Sequence, residues 1–360
     1  MSPLRGHFEP IDFATQGVFL TMTHHYHRLG TVLALAAGVF AAPAWGYHLA
    51  HEVHLPGSEG WDYLSLDSHG ERLFVSHGTQ VEVIDLKTLM PVGTIADTPG
   101  VHGIALAEDL GRGYVSAGRT GNVVVFDLKS LARITEIKVT GDNPDAILYE
   151  PKTHRVFTFN GRGKNITAID AQTNRVVGNI PLDAKPEFAV ADGAGNVFVN
   201  LEDKNSIAKI DPGKLTVTAV WPLEGCDEPS GLAIDRAHAR LFSVCSNKVM
   251  DIVDAGSGRV VAHVPIGDHV DGAGFDAGRQ VAFASGGDGT LTVVKESSPE
   301  KFAVAETVPT KAGARTMAVD DVTHRVFLST AQRGPPAGGS QPGARPAVIP
   351  DTFEVLVLEP

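Results

Sequence analysis

The stretch Arg72-Leu73-Phe74-Val75-Ser76 decides the fold, because close copies of it recur along the chain. They are Gly113-Tyr114-Val115-Ser116, Arg155-Val156-Phe157, Asn196-Val197-Phe198-Val199-Asn200, Arg240-Leu241-Phe242, Val281-Ala282-Phe283 and Arg325-Val326-Phe327. Short runs of β-branched and aromatic residues bounded by turn formers read as strands. The central aromatics fall at 74, 114, 157, 198, 242, 283 and 327, in steps of 40, 43, 41, 44, 41 and 44 residues. A period of this length means that one small unit is copied, each copy burying its apolar face against the next.

Outward from the aromatic strand, each copy repeats further parts in the same order. An apolar strand ending in an acidic turn precedes it, as in Ala233-Ile234-Asp235 and Ala318-Val319-Asp320. A polar turn such as Gly161-Arg162-Gly163-Lys164-Asn165 follows, then a third strand, then Asp85, Asp127, Asp170, Asp211 or Asp254; Lys295 and Glu359 take that slot in the sixth and seventh copies. An Asp there bonds its own backbone and sets the next turn. A fourth strand ends near Pro181, Pro222, Pro265 or Pro309. Four strands repeated seven times predict an all-β, seven-bladed β-propeller of four-stranded antiparallel blades, spanning residues 47–360. The last copy stops at Leu358-Glu359-Pro360, after its third strand, while His51-Glu52-Val53-His54-Leu55-Pro56 resembles an unattached fourth. The ring is therefore expected to close by pairing the N-terminal strand with the last blade, which leaves no open edge at the seam.

Composition agrees with this reading. The 360 residues are 43% hydrophobic and 20% charged, with 39 Gly and 22 Pro in no Gly-x-y period, a mixture suited to many short strands and tight turns. Acidic residues exceed basic ones by 42 to 30, giving a net charge of −12, and no Lys/Arg block occurs. That balance argues against a chain held to nucleic acid by charge, even through the Arg119, Arg162, Lys164 cluster beside Trp61.

Residues 22–44 read as a secretory signal peptide: His24, His25, His27 and Arg28, an apolar run from Leu29 to Ala42, then Ala42-Pro43-Ala44. The run is too short for a membrane span, which needs ~20 residues. Cleavage is expected after Ala44 or Gly46. Residues 1–21 carry no leader pattern, so the reading places the true start at Met22 and treats 1–21 as a non-native or mis-assigned extension. Export to the periplasm or beyond makes a disulfide between Cys226 and Cys245, 19 residues apart, the expected state of the two cysteines.

The phrases Phe74-Val75-Ser76-His77 with Val81-Glu82-Val83-Ile84-Asp85, and Asn143-Pro144-Asp145-Ala146, resemble the YVTN-repeat, YncE-like family of exported bacterial seven-bladed propellers. The resemblance covers nearly all of the chain from about residue 50 onward. It implies a ligand- or partner-binding role in the envelope, and one relative is associated with single-stranded DNA. Related propellers serve as binding scaffolds, lactonases and cofactor-bearing redox domains, so the fold does not select an activity.

Within each copy, the position four residues before the end of the first strand's apolar stretch is occupied by Asp62, His102, Asp145, Glu187, Ser230, Asp271 and Arg315 in turn. In a propeller these seven side chains converge on one mouth of the central channel. Four carboxylates, an imidazole and a guanidinium gathered there would shift one another's pKa values and suit a polar ligand or a hard cation. A divalent ion on Asp145, Glu187, Asp271 and His102 is the metal arrangement this ring allows. A hydrated, unoccupied channel is the alternative. The turn after the second strand should reach the same rim with His77, Arg119, Asn160, Arg162, Lys164, Asn200 and Lys204, while Trp61 and Phe188 flank the ring and either stack on a planar ligand or pack between blades. The seventh copy enlarges this turn to about Ala331–Asp351, with Pro335-Pro336 and Gly338-Gly339, as an exposed flap or a tolerated insertion.

Other candidates are weaker. His48, His51 and His54 alternate across a strand and cannot share one metal. His69, His154, His238 and His324 recur in the turn between first and second strands, as parts of the repeat. Nucleophile-elbow, zincin, haem-attachment and Walker motifs are absent, which favours binding over catalysis. The leading expectation is thus a monomeric exported binding protein whose channel rim takes a small polar ligand, a metal complex or an envelope partner. A metal-dependent lactonase-like hydrolase, with Glu187 or Asp145 as base, and a protein–protein scaffold with an idle channel are the alternatives.

Overall fold

The computed structural model describes residues 46–67, 71–335 and 346–360; the signal-peptide segment, His69 and the centre of the Ala331–Asp351 loop lie outside them. The described residues form seven antiparallel sheets of four strands each, the expected seven-bladed β-propeller. Blade 1 runs Trp61–Leu66, Arg72–His77, Gln80–Asp85 and Met90–Ile95 from the axis outward, and blades 2 to 6 repeat that order. Blade 7 takes Thr316–Val319, Val326–Thr330 and Phe353–Glu359 from the end of the chain and its outermost strand, His48–Leu55, from the start. His54 pairs with Glu354 and Leu55 with Phe353, so the ring closes as the two chain ends predict. Among the described residues no helix is long and apolar enough to cross a membrane.

The seven anchor aromatics explain why the copies form a circle. Phe74, Tyr114, Phe157, Phe198, Phe242, Phe283 and Phe327 are all essentially inaccessible to solvent. Each faces the following blade. Phe74 packs with Ile104, Val115 and Phe126 of blade 2, and Phe242 packs with Ala282, Ala284 and Val294 of blade 6. Phe327 packs with Trp61, Leu64 and Leu73 of blade 1, which completes the circuit. Burying such a ring stabilises by roughly 1.5–3 kcal/mol, and seven small cores between blades replace one central core.

Polar bonds repeat with the anchors. Arg72 Nη1 donates to Leu128 O at 2.6 Å, Arg112 Nη1 to Ala171 O at 2.8 Å and Arg325 Nη1 to Leu86 O at 3.0 Å, each reaching the next blade. The slot Asp residues act as expected: Asp85 Oδ1 accepts from the Thr88 backbone N–H at 2.7 Å, and Asp170 Oδ1 from that of Thr173 at 2.7 Å. The disulfide joins Cys226, in the connection into blade 5, to Cys245 at the end of that blade's second strand, with Cα atoms 5.4 Å apart.

Candidate functional site

Six of the seven innermost strands carry a register shift near their start: between Trp61 and Leu64, Val101 and Ile104, Pro144 and Ile147, Pro186 and Ala189, Pro229 and Leu232, and Val270 and Gly272. Asp62, His102, Asp145, Glu187, Ser230 and Asp271 all lie inside those shifts. A β-bulge frees one residue from the ladder and re-aims its side chain, here at the axis. Arg315 stands immediately before the seventh inner strand, Thr316–Val319.

Buried hydroxyls hold this backbone in place from the neighbouring blade. Ser116 Oγ donates to Asp145 O at 2.6 Å, Ser285 Oγ to Arg315 O, and Thr316 Oγ1 to Asp62 O at 2.8 Å. Close approach between blades also requires glycine after some ring positions. A Cβ on Gly231 would stand 2.6 Å from the Ala273 backbone nitrogen of blade 6, a contact that only a missing side chain avoids.

The ring carries its own cations. His102 Nδ1 lies 2.6 Å from Asp62 Oδ2 and 3.4 Å from Asp145 Oδ1. Arg315 Nε donates to Asp271 Oδ2 at 2.6 Å. Lys185, in the connection leading to blade 4, places Nζ 3.1 Å from Glu187 Oε2 and also pairs with Glu202. Asn143 Nδ2 donates to Asp145 Oδ2 at 3.3 Å.

Burial and charge then set the protonation states. Burial disfavours the His102 imidazolium, but the Asp62 hydrogen bond and the Asp145 and Asp62 charges outweigh it and raise His102 to about 9. Burial pushes Asp145 up to about 6, against the pull of His102. Burial and the Asp145 charge push Glu187 up to about 9 despite Lys185. Near pH 7 the mouth therefore presents charged His102 and Arg315 and a Glu187 that holds a proton.

One residue further along the chain from two ring positions, Tyr63 of blade 1 and Phe188 of blade 4 meet with ring centroids 5.2 Å apart. Blades 1 and 4 stand on opposite sides of a seven-membered circle, so this pair crosses the axis and floors the mouth. Burial raises the Tyr63 hydroxyl well above its usual value, with the Glu187, Asp145, Asp62 and Asp271 carboxylates adding to it. Tyr63 thus stays a neutral hydrogen-bond donor beneath a ring of acceptors.

Several residues expected at the rim point elsewhere. His77 is 2% exposed and stacks on Phe353 at 4.1 Å. Asn160 is fully buried and donates to Asn165 Oδ1 and Thr167 Oγ1 at 3.1 and 3.0 Å. Trp61 is buried in the blade 7 to blade 1 core, with Arg333 over its ring at 4.9 Å. These three occur at strand ends whose pleat turns the side chain into the blade, so they offer a ligand no surface. Ser230 Oγ donates to Val270 O at 3.2 Å. The quartet Asp145, Glu187, Asp271 and His102 is split, because Glu187 lies against Lys185 and Asp271 against Arg315. The compact group is Asp62, His102 and Asp145, with one ligand-capable atom from each lying within 4.8 Å of the others. Lys185 and Tyr63 were missed in the sequence; Lys185 lies in a connection outside the repeated phrases, and the only signal for Tyr63 is its place beside a ring position.

No protein-family model matches the chain, and no curated protein matches it. Solved structures do. Hydrazine synthase of Kuenenia stuttgartiensis aligns with a TM-score of 0.67 at 18% identity, over 75% of this chain and 92% of that one. The WD40 repeats of RRP9 align at 0.72 and 7% identity over 86% and 97%, and U3-55K at 0.72 and 8% over 86% and 99%. At these identities the likeness is one of fold, a propeller of the same build.

Proposed function

We propose that this chain is an exported propeller of the YVTN-repeat, YncE-like kind that binds a small polar ligand in the cup formed by Asp62, His102, Asp145, Glu187, Asp271 and Arg315 over Tyr63 and Phe188. The disulfide between Cys226 and Cys245 is in keeping with an oxidising compartment. The observation that carries the binding role is the bulge at the start of six inner strands, which brings a different polar side chain from each blade to one mouth. Both anionic and cationic groups face it, and Lys185 Nζ reaches Glu187 Oε2 at 3.1 Å. A ligand bearing both donors and acceptors, such as a polyol or a zwitterion, complements that pattern better than a bare dication does.

Mass spectrometry of the natively purified protein should find a small polar molecule that is lost in Arg315→Met and in Asp145→Asn. Retention of the same molecule by both variants would place it elsewhere. The compact Asp62, His102, Asp145 group favours a second reading, a metal-dependent lactonase-like hydrolase. In that case His102 must give up its proton to the ion, and turnover on a panel of lactones would vanish with chelator. Failure of both tests would leave the scaffold role, exercised through the blade edges and the Ala331–Asp351 loop toward an envelope protein.

A further inference from the structure

On the opposite rim, Glu296 departs from the repeat. The residue after the slot is Leu86, Leu128, Ala171 and Ala255 in blades 1, 2, 3 and 5, each buried and apolar. Blade 6 has a carboxylate there, only 1% exposed, in a third strand lengthened to Thr290–Ser298. Neither oxygen of Glu296 has a hydrogen-bond partner. A buried carboxylate that is not fully paired costs several kcal/mol, so its presence calls for a cation.

Blade 5 supplies the facing groups. His238 Nδ1 stands 3.0 Å from Glu296 Oε1 and 2.6 Å from Asp235 Oδ2. One Nδ1 proton serves one carboxylate, and the shorter distance gives it to Asp235. The second Asp235 oxygen accepts from the Ala237 N–H at 2.8 Å. Arg240, whose charge acts on Glu296, is engaged by Pro299 O at 2.6 Å and Asp254 Oδ2 at 2.6 Å. Two buried carboxylates therefore face one imidazole nitrogen, His238 Nδ1. The other described histidines of this turn lack this set: His154 Nδ1 meets the Tyr149 hydroxyl and the exposed Asp109, and His324 Nδ1 meets Asp276.

We propose that Asp235, His238 and Glu296 form a binding site for a divalent transition ion such as Zn²⁺, clamping blade 5 to blade 6 on the rim away from the ligand mouth. One ligand-capable atom from each residue lies within 4.8 Å of the others. A tetrahedral shell with metal–ligand distances of ~2.0–2.2 Å needs those atoms about 3.3–3.5 Å apart, so the His238 contacts open by less than ~1 Å on loading. One imidazole with two carboxylates suits zinc or manganese, whereas calcium takes oxygen ligands alone. His238 is partly exposed, which leaves an entry path and room for water as a fourth ligand.

The test is Zn²⁺ titration of chelator-treated protein by calorimetry, with Co²⁺ absorption as the spectroscopic probe. Glu296→Leu, which installs the residue that blade 1 carries, should bind one equivalent fewer and lose the cobalt spectrum of this site. Glu296→Gln, with its volume kept, should weaken the same site at least tenfold, and it decides the matter if the Leu variant does not fold. Asp62→Asn, at the mouth, should leave this site unchanged. No saturable binding by the wild type, undiminished binding in the Glu296 variants, or loss of the signal in Asp62→Asn would overturn the assignment.

Discussion

The two rims of the propeller are made by the same seven repeats and obey opposite rules. Away from the mouth, one slot carries aspartate in blades 1 to 5, and Asp127, Asp211 and Asp254 accept backbone N–H bonds there just as Asp85 and Asp170 do. At the mouth, one position carries Asp, His, Asp, Glu, Ser, Asp and Arg in turn. Where the copies agree, the turn or the core dictates the side chain. Where they differ at a place the backbone is shaped to present, the fold leaves the choice open and the chemistry of the mouth makes it. Glu296 reads the same way in the reverse direction, as a single difference on the rim of agreement.

The sharpest way to break this contrast is at an anchor. Phe242→Ala should cost about 3–5 kcal/mol of unfolding free energy in a urea titration, because it empties the core between blades 5 and 6. A loss under about 1 kcal/mol would mean that agreement between copies does not mark structure. Replacing Cys226 and Cys245 together by serine should cost roughly 2–4 kcal/mol by the same measurement. No change would show that the connection into blade 5 is fixed without its crosslink.

The mouth should respond to pH. Glu187, ordinarily near 4.5, and His102, ordinarily near 6.5, are both raised to about 9, so the native protein holds these protons more tightly than the unfolded chain. Their contribution is greatest below the ordinary values and is lost as pH rises toward 9. The unfolding midpoint should fall between pH 6 and 9, and Glu187→Gln should flatten that fall; a midpoint rising over this range is the opposite result. The smallest effect belongs to Ser230→Ala, expected within ~0.5 kcal/mol, since its hydroxyl makes a single 3.2 Å bond to Val270 O. A larger loss would show that the variable position also carries structural weight.

The architecture is legible in the sequence because its cause is periodic. An aromatic every forty-odd residues fixes the blades, and the mismatched chain ends fix the closure. The site is legible only in part. The shared position of the ring residues can be counted, but the bulges that turn them inward leave no compositional mark. His77 and Asn160 were placed by loop and not by pleat, and the pleat buries them. Lys185 sits in a connection, where no repeat supplies a register. Glu296 lies one residue beyond Lys295, where the expected aspartate is missing and attention stops.

The pairing of His54 with Glu354 has a consequence for how the molecule is born. The first strand of the ring to be made is the last to find its neighbour, 300 residues later, and drawing the two together costs on the order of 5 kcal/mol in chain entropy. Blades 1 to 6 can assemble as they are synthesised, but the circle stays an open arc until the strand Phe353–Glu359 is made. Any chaperone handling the chain meets an unsealed form with a bare strand edge at blade 7, and loss of the strand Phe353–Glu359 would leave it in that form for good.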